Sequence, residues 1–96
     1  MAARFLAPAR KELLDHIDFY DARRPGLGKL FVRAVERAVR LAEAFPDAGR
    51  PIAESVRRIV VRNFPFELLY KTESHGILII AIAHQSRQPG YWRDRI

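Results

Sequence analysis

Hydrophobic positions along the chain follow two successive periods. From Pro8 to Arg23, Leu13, Leu14, Ile17 and Tyr20 recur at helical spacing, while Lys11, Glu12, Asp15 and Asp18 sit mostly off that stripe. A short strand, Arg4-Phe5-Leu6-Ala7, precedes this helix and stops at Pro8. Proline suits a first helical turn, where its missing N–H would have had no partner. Arg24-Pro25-Gly26-Leu27-Gly28 breaks the helix. A second helix is predicted from Leu27 to Phe45, with Leu27, Leu30, Phe31, Ala34, Val35, Ala38, Leu41, Ala42 and Phe45 along one side. Phe31, Leu41 and Phe45 are expected in the core. Two amphipathic helices joined by a short loop form a helical hairpin, which needs a common surface to cover.

After the turn Pro46-Asp47-Ala48-Gly49-Arg50-Pro51, the period changes to two. Val56 to Arg62 reads as a strand with Arg58, Val60 and Arg62 on one face and Ile59 and Val61 on the other. Asn63-Phe64-Pro65 turns the chain into a second strand of the series, Phe66 to Lys71. Ser74-His75-Gly76 is hairpin chemistry, and Ile77 to Ala83 is apolar on both faces, as a buried strand is. The order is strand, helix, helix, strand, strand, strand. Counting reversals makes the first strand antiparallel to the fourth, if the two pair. One sheet face carries the helices, and the other is left partly bare for a partner.

Length and composition set bounds on this picture. Ninety-six residues make one domain, 1–96, with a modest core. Absence of cysteine excludes disulfides, thiolate metal sites and a cysteine nucleophile. The apolar run Ile77 to Ala83 is too short to span a bilayer as a helix, and residues 1–6 are too short for a signal peptide. A cytoplasmic location is the expectation. The net charge is +6 and arginine-rich, with 9 basic and 7 acidic residues up to Gly49 but 8 and 4 from Arg50 onward. An anionic partner is therefore expected on the second half.

Candidate chemistry is sparse. His16, His75 and His84 lack the spacing of metal ligands, and no metal or cofactor is expected. Gly26-Leu27-Gly28-Lys29 lacks P-loop spacing and follows a helix, so it reads as a helix break. His84 and Ser86 have no acid to complete a triad. The tail is richer: His84, Arg87, Tyr91, Trp92, Arg93 and Arg95 fall close together. With Arg58 and Arg62 they supply the parts of a metal-free ribonuclease, namely cations for a phosphate, a proton carrier and rings. Equally, Tyr91 and Trp92 fold back as a lid on the core.

The ordered set of motifs resembles the RelE/ParE superfamily of type II toxin–antitoxin toxins. It comprises Pro8 with Glu12-Leu13, Tyr20 before Arg24-Pro25-Gly26-Leu27-Gly28, Phe31, and Phe45-Pro46-Asp47-Ala48-Gly49-Arg50-Pro51. It continues through Val56-Arg57-Arg58, Phe64-Pro65-Phe66, Leu69-Tyr70 and Ile82 to Trp92. The resemblance implies an α+β fold, β-α-α-β-β-β, with the hairpin on one face of an antiparallel four-stranded sheet of order 1-4-3-2. It also implies a cognate antitoxin with an acidic toxin-binding segment, and operator DNA contacted only through that antitoxin. RelE-like members cut mRNA on the ribosome; ParE-like members inhibit DNA gyrase. His84, Arg87 and Pro89 look closer to the ParE side, and Val56 to Arg62 has no lysine to serve a RelE-type mechanism. The expectation is a gyrase-inhibiting toxin with Arg58, Arg62, Arg87, Tyr91, Trp92 and Arg93 at partner contacts. The alternatives are a ribosome-dependent endoribonuclease using His84, Arg62, Arg87 and Tyr91, or an inactive antitoxin-binding relic.

Overall fold

The computed structural model describes residues 2–96. Strand β1 (Ala2–Phe5) leads into helix α1 (Ala7–Arg23), then α2 (Leu27–Ala44), and then four strands. These are β2 (Arg50–Ala53), β3 (Val56–Val61), β4 (Phe66–Glu73) and β5 (Gly76–His84), followed by a 3₁₀ turn at Arg93–Arg95. The sheet order is β1-β5-β4-β3-β2, with the most apolar strand inside the sheet as expected.

The sheet has five strands, one more than the sequence reading gave. The additional one, β2, overlaps the turn predicted over Pro46 to Pro51. It is short and contains Pro51, which is tolerated because β2 lies at the sheet edge, where a missing N–H costs no ladder bond. This strand corrects a second expectation. It adds one chain reversal, so β1 runs parallel to β5, with Ala2 opposite Gly76 and Phe5 opposite Ile79. The remaining pairs are antiparallel.

The hairpin covers one sheet face. Phe31, fully buried, is the hub of its core: its ring lies 5.2 Å from Tyr20, 5.2 Å from Phe64 and 5.1 Å from Phe66. Ala34, Val35, Ala38 and Ala42 continue the buried face of α2. Leu41 and Phe45 do not join it. They are 42% and 65% exposed, because the small residues Ala34, Ala38 and Ala42 bring the helix close to the sheet and turn its flank outward. Leu14 is likewise exposed. The inward face of α1 is Ala9, Glu12, Leu13, His16, Ile17 and Tyr20, so Glu12, placed off the stripe, lies within it beside His16.

The second sheet face is not bare. Val56, Leu69, Leu78, Ile80, Ala81 and Ala83 form a second apolar cluster closed by Trp92, which is 4% exposed. The tail is a lid.

Candidate functional site

The lid is held by a network that starts on α1. Glu12 accepts two bonds from Arg95, Nη1 to Oε1 and Nη2 to Oε2, both at 2.9 Å. The Tyr91 hydroxyl donates to Oε2 at 2.7 Å, and the backbone N–H of Ile82 donates to Oε1 at 3.0 Å. Arg95 Nη1 also donates to the Ile80 carbonyl at 3.0 Å. The position explains the need. Strand β1 pairs with β5 only as far as Ile79, so the next β5 edge groups would lack partners. The Glu12–Arg95 pair meets them in place of a strand. Both side chains are largely buried, 12% and 16% exposed, which favours this bidentate geometry over water.

Burial, then the bond to Glu12, pushes the Tyr91 phenol well above the ordinary tyrosine range. Burial also raises Tyr20 and Tyr70. The folded chain therefore holds phenolic protons that the unfolded chain releases near pH 10. This contribution to stability is intact below that pH and is lost as pH rises above it. The urea midpoint is expected to fall between about pH 9 and pH 11, and Tyr91→Phe should flatten the decline. A midpoint that is level across this window in the wild type would refute the assignment.

Between the lid and the β3–β5 surface lies a hollow of about 310 Å³. Arg58, His84, Arg87, Tyr91, Trp92 and Arg93 all border it. Glu67 and Ile52, which no sequence motif singles out, border it too. Arg58 is paired with Glu67 at 2.6 Å, across adjacent strands where Val60 faces Glu67 and Arg58 faces Leu69. The His84 Nδ1 accepts from the Ser86 N–H at 3.0 Å and lies 2.7 Å from its hydroxyl, which leaves the neutral ring's proton on Nε2. Arg87 lies over the Tyr91 ring at 3.9 Å and Arg93 near the Trp92 ring at 5.0 Å. Trp92 is thus a buried support for the site and not an exposed anchor.

Arg62 is not brought to this hollow. It borders a different groove, about 460 Å³, between α2 and β3, with Leu41, Phe45, Ile59, Val60 and Arg37. Val60 is 55% exposed there. Strand β2 pairs only with Val56 to Arg58, so the β3 edge from Ile59 onward has no strand neighbour on that side among the described residues. No group of residues fit to hold a metal ion is found among those described, and no helix of the described residues is long and apolar enough to cross a membrane.

A helical hairpin packed on one face of a largely antiparallel sheet is the α+β class expected from the resemblance to the RelE/ParE-type toxins. Residues 3–89 match the family model described as ParE toxin of type II toxin-antitoxin system, parDE, and the chain belongs to that family. Among solved structures it is similar to one titled as the chromosomal ParDE TA system from P. aeruginosa, with a TM-score of 0.76 and 23% identity. That alignment covers 88% of this chain and 95% of the other. No curated protein matches the sequence.

Proposed function

We propose that this toxin acts by binding DNA gyrase and blocking supercoiling, and that its antitoxin restrains it by covering the groove between α2 and β3. The observation that carries the first half is how the hollow's groups are committed. Tyr91 gives its hydroxyl to Glu12, the His84 Nδ1 is engaged by Ser86 so that only the Nε2–H is open and no acceptor stands beside it among the described residues, and Arg62 lies elsewhere. A nuclease needs a proton donor and acceptor free to reach its substrate. This set instead supports binding: arginine held on aromatic rings is a common interface anchor.

The second half rests on the groove. Leu41, Phe45 and Val60 expose apolar surface beside Arg37, Arg62 and an open strand edge. An acidic amphipathic segment satisfies all three, through apolar contact, ion pairs and added backbone bonds. The expected cover is thus at Arg62 and the β3 edge, with Arg58 already satisfied by Glu67.

A supercoiling assay run beside primer extension on translated mRNA, from one toxin preparation, tests this. The toxin alone is expected to inhibit gyrase and leave the message uncut. Arg87→Ala and Arg93→Ala should weaken inhibition with no change in urea midpoint, whereas His84→Gln should be tolerated. Added antitoxin should restore supercoiling, and should fail to do so against Phe45→Ser or Arg62→Glu toxin. Codon-periodic cuts with unaffected gyrase would establish the ribosome-dependent endoribonuclease instead.

A further inference from the structure

The hollow under the lid holds an excess of positive charge that no group of the described residues answers. Its one bordering carboxylate, Glu67, is already paired with Arg58. Among the described residues, the exposed side chains of Arg87 and Arg93 have neither a hydrogen bond nor an ion pair; each lies against an aromatic ring instead. That distinction matters chemically. A cation–π contact uses the face of the guanidinium and leaves its N–H donors unspent. The two rings are themselves fixed, Tyr91 by Glu12 and Trp92 by burial. Two cations are thus held ready with their donors unused.

Gly90 adds a second, independent sign that this arrangement is built. Its φ is +79°, in the left-handed region that glycine adopts without cost. A Cβ at this position would lie 2.8 Å from Arg93 Nε and 3.2 Å from its Cδ. A side chain at this position would push the flexible end of Arg93 away from the turn.

We propose that the hollow is a receptor for a phosphate monoester, the terminal phosphate of a free nucleotide or of a nucleic-acid strand. The charge count selects the ligand. Two unanswered guanidiniums match a dianion, which a phosphate monoester is near neutral pH. A carboxylate or a phosphodiester carries one charge and leaves one guanidinium unmatched. Arginine also offers its donors in the fork that phosphate oxygens accept. The His84 Nε2–H supplies a neutral donor on the same border. The volume, about 310 Å³, takes a small anionic group, and the open side of the hollow lets the rest of the ligand project into solvent. No free aromatic face lines it for a base, because Arg87 covers Tyr91 and Trp92 is buried. The proposal goes beyond the gyrase reading and does not depend on it, since it concerns the toxin alone.

Calorimetric titration of the full chain at low salt tests it. The probes are inorganic phosphate, AMP, adenosine, and one short DNA strand with and without a 5′-phosphate. The expected result is saturable one-to-one binding of AMP, competition by inorganic phosphate and no signal from adenosine. Arg87→Gln and Arg93→Gln should each weaken AMP binding by roughly 10- to 100-fold, the range for losing charged hydrogen bonds. Gly90→Ala should do the same by displacing Arg93; if it fails to fold, Arg93→Gln carries the test. Arg33→Gln, on the exposed side of α2, should bind AMP as the wild type does. The tighter of AMP and the phosphorylated strand identifies the source of the phosphate. Three results would each overturn the proposal: no saturation by phosphate or AMP up to millimolar concentration, equal losses from Arg33→Gln and Arg87→Gln, or equal affinity for the strand with and without its terminal phosphate.

Discussion

Glu12→Ala is expected to loosen the molecule from the side opposite the hairpin. The substitution removes the partner of Arg95, the acceptor of the Tyr91 hydroxyl and the acceptor of the Ile82 N–H in one step. Removing one member of a buried ion pair costs about 3–5 kcal/mol. Both side chains retain slight exposure, so the lower end applies. For a domain of this length about 3 kcal/mol lowers the melting temperature by roughly 15 °C. The chain carries a single tryptophan, Trp92, and it sits in the lid, so its emission reports on this region alone. In Glu12→Ala the emission should move to longer wavelength, and its urea transition should precede that of far-ultraviolet circular dichroism. Arg95→Ala should lose a comparable amount, and the double variant less than the sum. An unchanged midpoint in Glu12→Ala would mean that the pair contributes nothing net.

Phe31→Ala should destabilise the other face as severely. Phe31 is fully buried among Tyr20, Phe64 and Phe66, and truncating such a ring costs about 3–5 kcal/mol through lost burial and the cavity left behind. Phe45→Ala, at the C-cap of the same helix and 65% exposed, should stay within about 1 kcal/mol of wild type. Urea midpoints of the two variants separate these cases. Equal midpoints would show that exposure is not what distinguishes the two rings.

The comparison of these phenylalanines shows how far the chain's pattern can be read. The stripe on α2 marks a helix and its apolar side, but not how wide a wedge the sheet covers. Alanines at 34, 38 and 42 decide that by letting helix and sheet approach, and a hydrophobicity pattern scores them no differently from Leu41 or Phe45. The hairpin and the strands β3 and β4 were legible from sustained periods, and the interior place of β5 from its unbroken apolar run. Strand β2 was not: four residues beginning Arg50-Pro51 carry turn chemistry, and edge pairing alone makes them a strand. That omission reversed the direction assigned to β1 relative to β5. In the site, proximity within the sequence was enough to group His84, Arg87, Tyr91, Trp92 and Arg93. Glu12 escaped because its role depends on residues 70 to 83 positions away. The one local signal was a carboxylate within the inward face Ala9, Leu13, His16 and Ile17.

That same distance has a consequence for the order in which the toxin comes into being. The groove proposed for the antitoxin is drawn from residues 34 to 62, whereas the unanswered cations of the hollow stand at Arg87 and Arg93. Chains are made from the amino end at about 5–20 residues per second. The groove's residues therefore leave the ribosome on the order of seconds before those of the hollow. The lid cannot close until Arg95 reaches back to Glu12 across 83 positions. During synthesis, the residues of the groove proposed for restraint emerge before the cations proposed for contact with gyrase.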